Sequence, residues 1–231
     1  MKVAVINFSG NVGKSTVARH LLAPRMNKAS IILVESINSD GTQDETIRGK
    51  QFGELHNDLS ILDDVIVDIG ASNVEDFITM MKKYSGSHED YDYFVIPTVP
   101  KAKQQRDTIS TIEALSTIGI PPEKIRIIFN MIDTDEEPNE IFSGIFEYVE
   151  SRGNCTINKD CVIHNNEIYE RISNTEKTII EILNDPTDFR EMSKNAHNSE
   201  EKMYYAQLLG IKRLAVGVKK ELDNIFNILF K

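Results

Sequence analysis

Along the first two-thirds of the chain, short apolar runs alternate with longer stretches in which apolar residues recur every three or four positions. The runs are Val3–Phe8, Ser30–Glu35, Asp64–Ile69, Tyr93–Pro97 and Lys124–Met131. Each is rich in Val, Ile or Phe and short enough to be a strand buried on both faces. Helix-length segments separate them at Lys14–Arg25, Val74–Tyr84, Lys103–Gly119 and Pro138–Arg152, punctuated by Pro24, Gly119-Ile120-Pro121-Pro122 and Pro138. The alternation predicts an α/β fold: a doubly wound, mainly parallel sheet with helices on both faces.

The last third changes character. Cys161–His164 is a candidate sixth strand. Helices are expected at Asn166–Ile172, Lys177–Leu183, Phe189–Lys194 and Glu200–Leu209, with a turn at Asp185-Pro186. Ile211–Phe230 reads as an amphipathic helix. The simplest partition is a nucleotide-binding core over 1–164 and a helical C-terminal extension over 165–231, packed on that core.

Composition narrows the class. The chain has 231 residues, enough to bury a sizeable core. Its 36 acidic and 26 basic residues leave a net charge of −10. That disfavours a protein coating nucleic acid over its whole surface, while a local basic patch stays open. Cys155 and Cys161 are the two cysteines, read as free thiols of a reducing compartment. No charged segment precedes an apolar one at the N-terminus, and no apolar run approaches roughly 18 residues. The expected location is cytoplasmic.

The first strand runs into Phe8-Ser9-Gly10-Asn11-Val12-Gly13-Lys14-Ser15-Thr16. A loop wrapped around a triphosphate must present backbone N–H groups with no side chain in the way, which Gly10 and Gly13 permit. A helix starting near Lys14 aims its unpaired N–H groups at the same anion. Lys14 can reach the β and γ phosphates, Ser15 can place its hydroxyl on Mg²⁺, and Thr16 can contact the α phosphate. Ser9, Asn11 and Val12 complete the cradle. Against G-x-x-x-x-G-K-[ST], the first glycine is replaced by Phe8. The competing reading, an ordinary strand–turn–helix with a chance Gly-Lys-Ser, is disfavoured by the strand before it and the helix after.

Val65-Ile66-Val67-Asp68-Ile69-Gly70 is a strand ending in Asp-x-Gly. Asp68, at the carboxyl edge of the sheet, can hold Mg²⁺ through water, and the Gly70 N–H can meet a γ phosphate. A helix-capping role for Asp68 is the alternative, but Ser72 or Asn73 can serve as caps.

Ser9–Thr16 resembles the deviant phosphate loop of the ParA/MinD group of P-loop ATPases, K-G-G-x-G-K-[ST]-[ST]. Positions 10, 13, 14, 15 and 16 match. Asn11 replaces the second glycine, and Ser9 replaces the signature lysine that in the group reaches the partner subunit's nucleotide. The departure at Ser9 puts lysine-assisted hydrolysis and the usual sandwich dimer in doubt. Asp68-Ile69-Gly70 resembles the group's second switch. In the first switch the group carries D-x-D. Glu35 matches its first position, Ile37 fills the second, and Asp40 is the candidate to take over the catalytic acidic role. Asn130 of Asn130-Met131-Ile132-Asp133 stands where the group places an Asn near the base. The same spacing is similar to N-K-x-D of GTPases, so the resemblance implies ATP without excluding GTP.

More specific still are Val34-Glu35-Ser36-Ile37-Asn38, Val67-Asp68-Ile69-Gly70-Ala71-Ser72-Asn73, Gly86-Ser87-His88-Glu89-Asp90 and Val95-Ile96-Pro97-Thr98-Val99-Pro100. These phrases resemble the plasmid-stability StbB-type branch. The resemblance implies a Mg²⁺-dependent ATPase acting in plasmid stability or partition. Its expected partners are a second copy of the chain, in a homodimer or nucleotide-dependent self-association, and a small DNA-binding adaptor.

Other features weigh less. Cys155, Cys161 and His164 are too few and too widely spaced for a structural zinc site. In the last helix, Leu214, Val218, Leu222, Ile225 and Leu229 form an apolar stripe flanked by Lys212, Arg213, Lys219, Lys220 and Lys231. Docking on the core is favoured over reversible membrane contact, and the basic residues are the best candidates for weak non-specific DNA contact. Arg106, near Lys101 and Lys103, is a candidate substitute for the missing lysine. Two other readings stay open: a nucleotide-binding switch or scaffold with little hydrolysis, and a small-molecule kinase or ligase on the same core.

Overall fold

In a computed structural model, residues 1–27, 29–34, 45–175 and 177–231 are described, with 45–50 described for backbone alone. Glu35, Ile37 and Asp40 lie outside the described residues.

Six parallel strands form one sheet: β1 (Lys2–Val5), β2 (Ser30–Val34), β3 (Val65–Ile69), β4 (Tyr93–Thr98), β5 (Ile125–Ile132) and β6 (Val162–His164). Their order is β2-β3-β1-β4-β5-β6. The inner strands β3 and β4 are buried almost end to end, as continuous Val/Ile runs in a two-sided parallel sheet should be. The edge strand β2 is partly exposed, with Leu33 60% accessible. The chain leaves β1 toward β2 and leaves β4 toward β5, on the opposite side. Neighbouring β1 and β4 therefore flank a topological switch point, the place where open α/β sheets build ligand sites at the carboxyl strand ends.

The helices of this unit are α1 (Lys14–Thr16), α2 (Glu45–Ile61), α3 (Val74–Lys83), α4 (Ala102–Thr117), α5 (Pro138–Ile141) and α6 (Ser143–Arg152). Lys14–Thr16 runs straight on into a π-helical stretch over Val17–Leu22, where Ala23 N donates to Ala18 O at 3.0 Å. In α3, Val74, Phe77, Ile78 and Met81 form the buried stripe that the 3.6-residue period requires. Pro138 occupies the first turn of α5, where its missing N–H costs nothing. Gly153 ends α6 in the left-handed conformation. The sequence pattern did not signal α2. Gly49 and Gly53 weaken its helical preference and its polar residues are scattered, yet Phe52, Leu55 and Leu59 are buried along one side. The Phe52 ring packs on Tyr84 and Phe77, with centroids 5.1 and 5.7 Å away.

The chain divides into two compact units, one of Met1–Asn165 with Ile225–Lys231, the other of Asn166–Asn224. The second contains α7 (Glu167–Ile172), α8 (Ile179–Asn184), α9 (Phe189–Lys194) and most of α10 (Ser199–Leu229). Thr178 and Glu181 form a reciprocal capping box at the start of α8. Two segments expected as separate helices are one 31-residue helix, α10, which continues through Gly210. Of the expected stripe on α10, Val218, Leu222, Ile225 and Leu229 are buried; Leu214 is half-buried and Ala215 takes the buried place beside it. Lys219 pairs with Asp223 at 2.6 Å. In the first unit, the Phe230 ring packs at a tilt against Tyr93 on β4, with centroids 4.8 Å apart. No described helix is long and apolar enough to cross a membrane.

Candidate nucleotide-binding site

The loop between β1 and α1 is held from three directions. Asn7, fully buried just past the end of β1, does the first part. Its Oδ1 accepts from Ser9 N at 2.8 Å, turning the chain, and its Nδ2 donates to Pro97 O at 2.9 Å and Thr108 Oγ1 at 2.8 Å. The loop is thereby tied to the end of β4 and to α4. Thr108 Oγ1 donates to Gln104 O at 2.8 Å and lies 2.9 Å from the Thr98 hydroxyl, so every polar atom in this fully buried cluster has a partner.

α4 supplies the second tether. Phe8 N donates to Thr111 Oγ1 at 3.1 Å, and the Ser9 hydroxyl donates to Asp107 Oδ2 at 2.6 Å. The third tether is Asn130 from β5: its Nδ2 donates to Val12 O at 2.9 Å, and its Oδ1 accepts from Met131 N. Asn130 thus braces the loop directly.

Inside this frame the loop conformation follows from residue type. Gly13 has φ +87°, and a Cβ on it would sit 2.2 Å from Asn130 Nδ2. Glycine is required there twice over, by backbone conformation and by close approach. Around Gly10 there is open space, so the fold itself does not demand glycine at that position. Asn11, at φ +57°, adopts the left-handed conformation that Asn tolerates better than most residues. Gly10, Asn11 and Ser15 are exposed, Thr16 is half-buried, and Val12 is buried as the loop's anchor.

Lys14 is buried at 8% accessibility. Its Nζ donates to Ser9 O at 2.7 Å and Asn7 O at 3.2 Å, so the ammonium lies along the inner side of the loop. Burial lowers the Lys14 pKa, and the charge of Asp68 opposes that shift. Asp68 is 4% accessible and stands level with Val5 of β1 in the sheet. The structure therefore brings together the loop, Lys14 and Asp68 at the switch point.

On the β2 side, Gly70 N donates to Val34 O at 2.9 Å, and Asn73 Nδ2 donates to the same oxygen at 3.0 Å. Asn73 occupies the N-cap position of α3 without a side-chain cap, because its amide is turned to β2. At the start of α4, Lys101, Lys103 and Arg106 are exposed. Cys155 and Cys161 are buried, and burial pushes both thiols up to about 12.

Sequence reasoning missed Asn7, Thr98, Asp107, Thr108 and Thr111. Asn7 was hidden inside an apolar run read as strand to Phe8. The signal in α4 was available: Asp107, Thr108 and Thr111 are polar residues on the side of an amphipathic helix that also carries Ile112 and Leu115.

The arrangement fits a polyphosphate. The loop turns through two left-handed residues, Asn11 and Gly13, and no side chain can be added at Gly13. A lysine lies within its curve, a hydroxyl follows at Ser15, and a carboxylate stands at the neighbouring strand end. No family model and no curated protein matches the chain. Solved structures do. The MinD cell division protein of Aquifex aeolicus superposes with TM-score 0.51 at 15% identity, over 90% of this chain and 96% of that one. Apo McdA of Cyanothece gives 0.52 at 14%, over 96% and 98%. The chain has the P-loop fold of these proteins.

Proposed function

We propose that this chain is a ParA-like, Mg²⁺-dependent ATPase acting in plasmid stability or partition, through nucleotide-dependent association with itself or with a DNA-bound adaptor. One observation carries the nucleotide reading: a buried lysine inside a loop braced on β4, α4 and β5, with Asp68 at the adjoining strand end. Such bracing gives electrostatic preorganisation for an anion.

Lys14 now bonds Ser9 O and Asn7 O, and in the bound state its ammonium turns to the β and γ phosphates. The loop amides of Gly10–Thr16 orient the phosphate chain. Ser15 and Asp68 are the residues that would hold Mg²⁺, an ion that would supply charge neutralisation for the phosphates. Gly70 serves as the γ-phosphate sensor. Its N–H is engaged with Val34 O, so sensing requires that bond to open. We assign Asp40 the acidic role of the first switch. In this reading residues 1–164 form the nucleotide core and 165–231 a helical extension.

Phosphate release by purified protein, with Lys14→Ala as control, tests turnover. Activity no greater than that of the control would remove the hydrolysis reading. A switch with little turnover is the second reading, favoured by Ser9: its side chain is tied within its own chain to Asp107 and cannot reach a partner's nucleotide. Light scattering in ATP, in ADP and without nucleotide tests association; a size independent of nucleotide would argue against a switching dimer.

A further inference from the structure

We propose that Asp107 is a positioning residue for the nucleotide: with Ser9 it forms a latch that locks the phosphate loop to α4 within one chain. The proposal rests on the nucleotide-binding reading above and adds to it the residue that fixes the loop's entry.

Position 9 is where the resembling loops carry a lysine directed at a partner subunit. Here the residue is 4% accessible and its hydroxyl ends 2.6 Å from Asp107 Oδ2, a charge-assisted hydrogen bond of short length. The same two segments are stitched twice more, by Phe8 N to Thr111 Oγ1 and by Asn7 Nδ2 to Thr108 Oγ1. Thr111 Oγ1 in turn donates to Asp107 O at 2.7 Å, which fixes the backbone that carries the carboxylate. Asp107, Thr108 and Thr111 thus present three successive acceptors to residues 9, 7 and 8.

The latch also sets Lys14. The peptide oxygen of Ser9 is the closer acceptor of the Lys14 ammonium, at 2.7 Å. Asp107 holds the side chain of Ser9 on one side while Lys14 holds its carbonyl on the other. Rotation of the Ser9 peptide would move that carbonyl and the amides that follow it. Fixing it keeps Lys14 extended along the loop, where a β or γ phosphate oxygen can replace the two carbonyls. A single chain thereby holds its cradle formed without a cation from a second copy.

Two measurements on the full chain test this. In the first, hydrogen exchange of the Ser9–Gly13 amides is followed without nucleotide. Asp107→Ala should speed exchange there and leave the β3 amides unchanged; Asp107→Asn, which keeps an acceptor oxygen, should restore slow exchange. The second is titration with a fluorescent ATP analogue. Asp107→Ala and Ser9→Ala should each weaken binding by about tenfold, the effect of losing one charge-assisted bond. The double variant should be no weaker than either single, because both remove the same contact. Asp107→Asn should recover most of the affinity. Unchanged exchange, additive losses or undiminished affinity in Asp107→Ala would each overturn the latch. If the wild-type chain binds no nucleotide, the nucleotide-binding reading fails and takes the positioning role with it. If the wild type binds and the variants bind equally, the latch alone fails.

Discussion

Asn130 Nδ2 lies 2.9 Å from the carbonyl oxygen of Val12, 118 positions earlier in the chain. The bond satisfies a buried carbonyl at the turn of the loop, and it places the amide where a Gly13 side chain would have to go. Replacing Asn130 by Ala leaves the Val12 carbonyl without its partner. We expect a loss of about 1–3 kcal/mol in urea unfolding and weaker ATP-analogue binding by the same variant. Stability and affinity both at wild-type values would refute the bracing role.

Gly13 and Gly10 should part company. Gly13→Ala adds a Cβ at 2.2 Å from Asn130 Nδ2 on a residue with φ +87°, so binding of the fluorescent nucleotide should fall by at least about tenfold, with about 1–3 kcal/mol of destabilisation. Gly10→Ala meets open space and should melt as the wild type does. Equal melting temperatures for the two variants would contradict the assigned conformation.

Lys14→Ala should abolish phosphate release and weaken nucleotide binding more than any other single change in the loop. Its effect on stability depends on pH. The folded pKa of Lys14 lies below its ordinary value of 10.5, so the unfolded chain holds the proton more tightly across the interval between the two. Stability attributable to Lys14 therefore rises with pH toward 10.5. Lys14→Met, which keeps the packing and removes the charge, should flatten that rise in urea titrations run toward pH 10.5.

The two thiols run the other way. Folded Cys155 and Cys161 sit at about 12 against an ordinary 9.0, so the native state retains protons that the unfolded state releases. Their contribution is complete below pH 9 and is lost as pH rises toward 12. The chemical counterpart is slow reaction: in native protein at pH 8.5 a disulfide reagent should modify neither cysteine at the rate of an exposed thiol. Full-rate modification before unfolding would show that one of them is accessible.

Gly210 interrupts the apolar pattern of the last 30 residues and had suggested two helices. The helix passes through it, and a Cβ there meets nothing within 4 Å. Gly210→Ala should therefore stabilise the protein, by about 0.5–1 kcal/mol, through helix propensity and reduced freedom of the unfolded chain. A destabilised variant would mean that α10 bends at this point.

Much of the fold was legible because its signal is local. The Val/Ile runs of β1, β3, β4 and β5 can only be doubly buried strands, and Gly13-Lys14-Ser15 after such a strand points to a phosphate loop. The order of strands came from structure, since nothing local in Ser30–Val34 says that it lies beyond β3. The missed α2 shows the limit of periodicity: Phe52, Leu55 and Leu59 supply a stripe too sparse to stand out beside two glycines. The bracing residues were illegible for a different reason. Asn7, Asp107 and Thr108 matter through partners far away in sequence, and no pattern within one segment records such a pairing.

Those distances also set a schedule. The contacts that shape the loop join residues 98, 101 and 118 positions apart, although the loop itself is written within the first sixteen residues. During synthesis the Gly-Lys-Ser segment emerges early but has no frame until β4, α4 and β5 have followed and docked. Closing such long loops is slow compared with forming a local helix. Competence to capture nucleotide should thus arrive abruptly, once Asn130 is out of the ribosome, and ribosome-stalled chains of increasing length offer the means to time it.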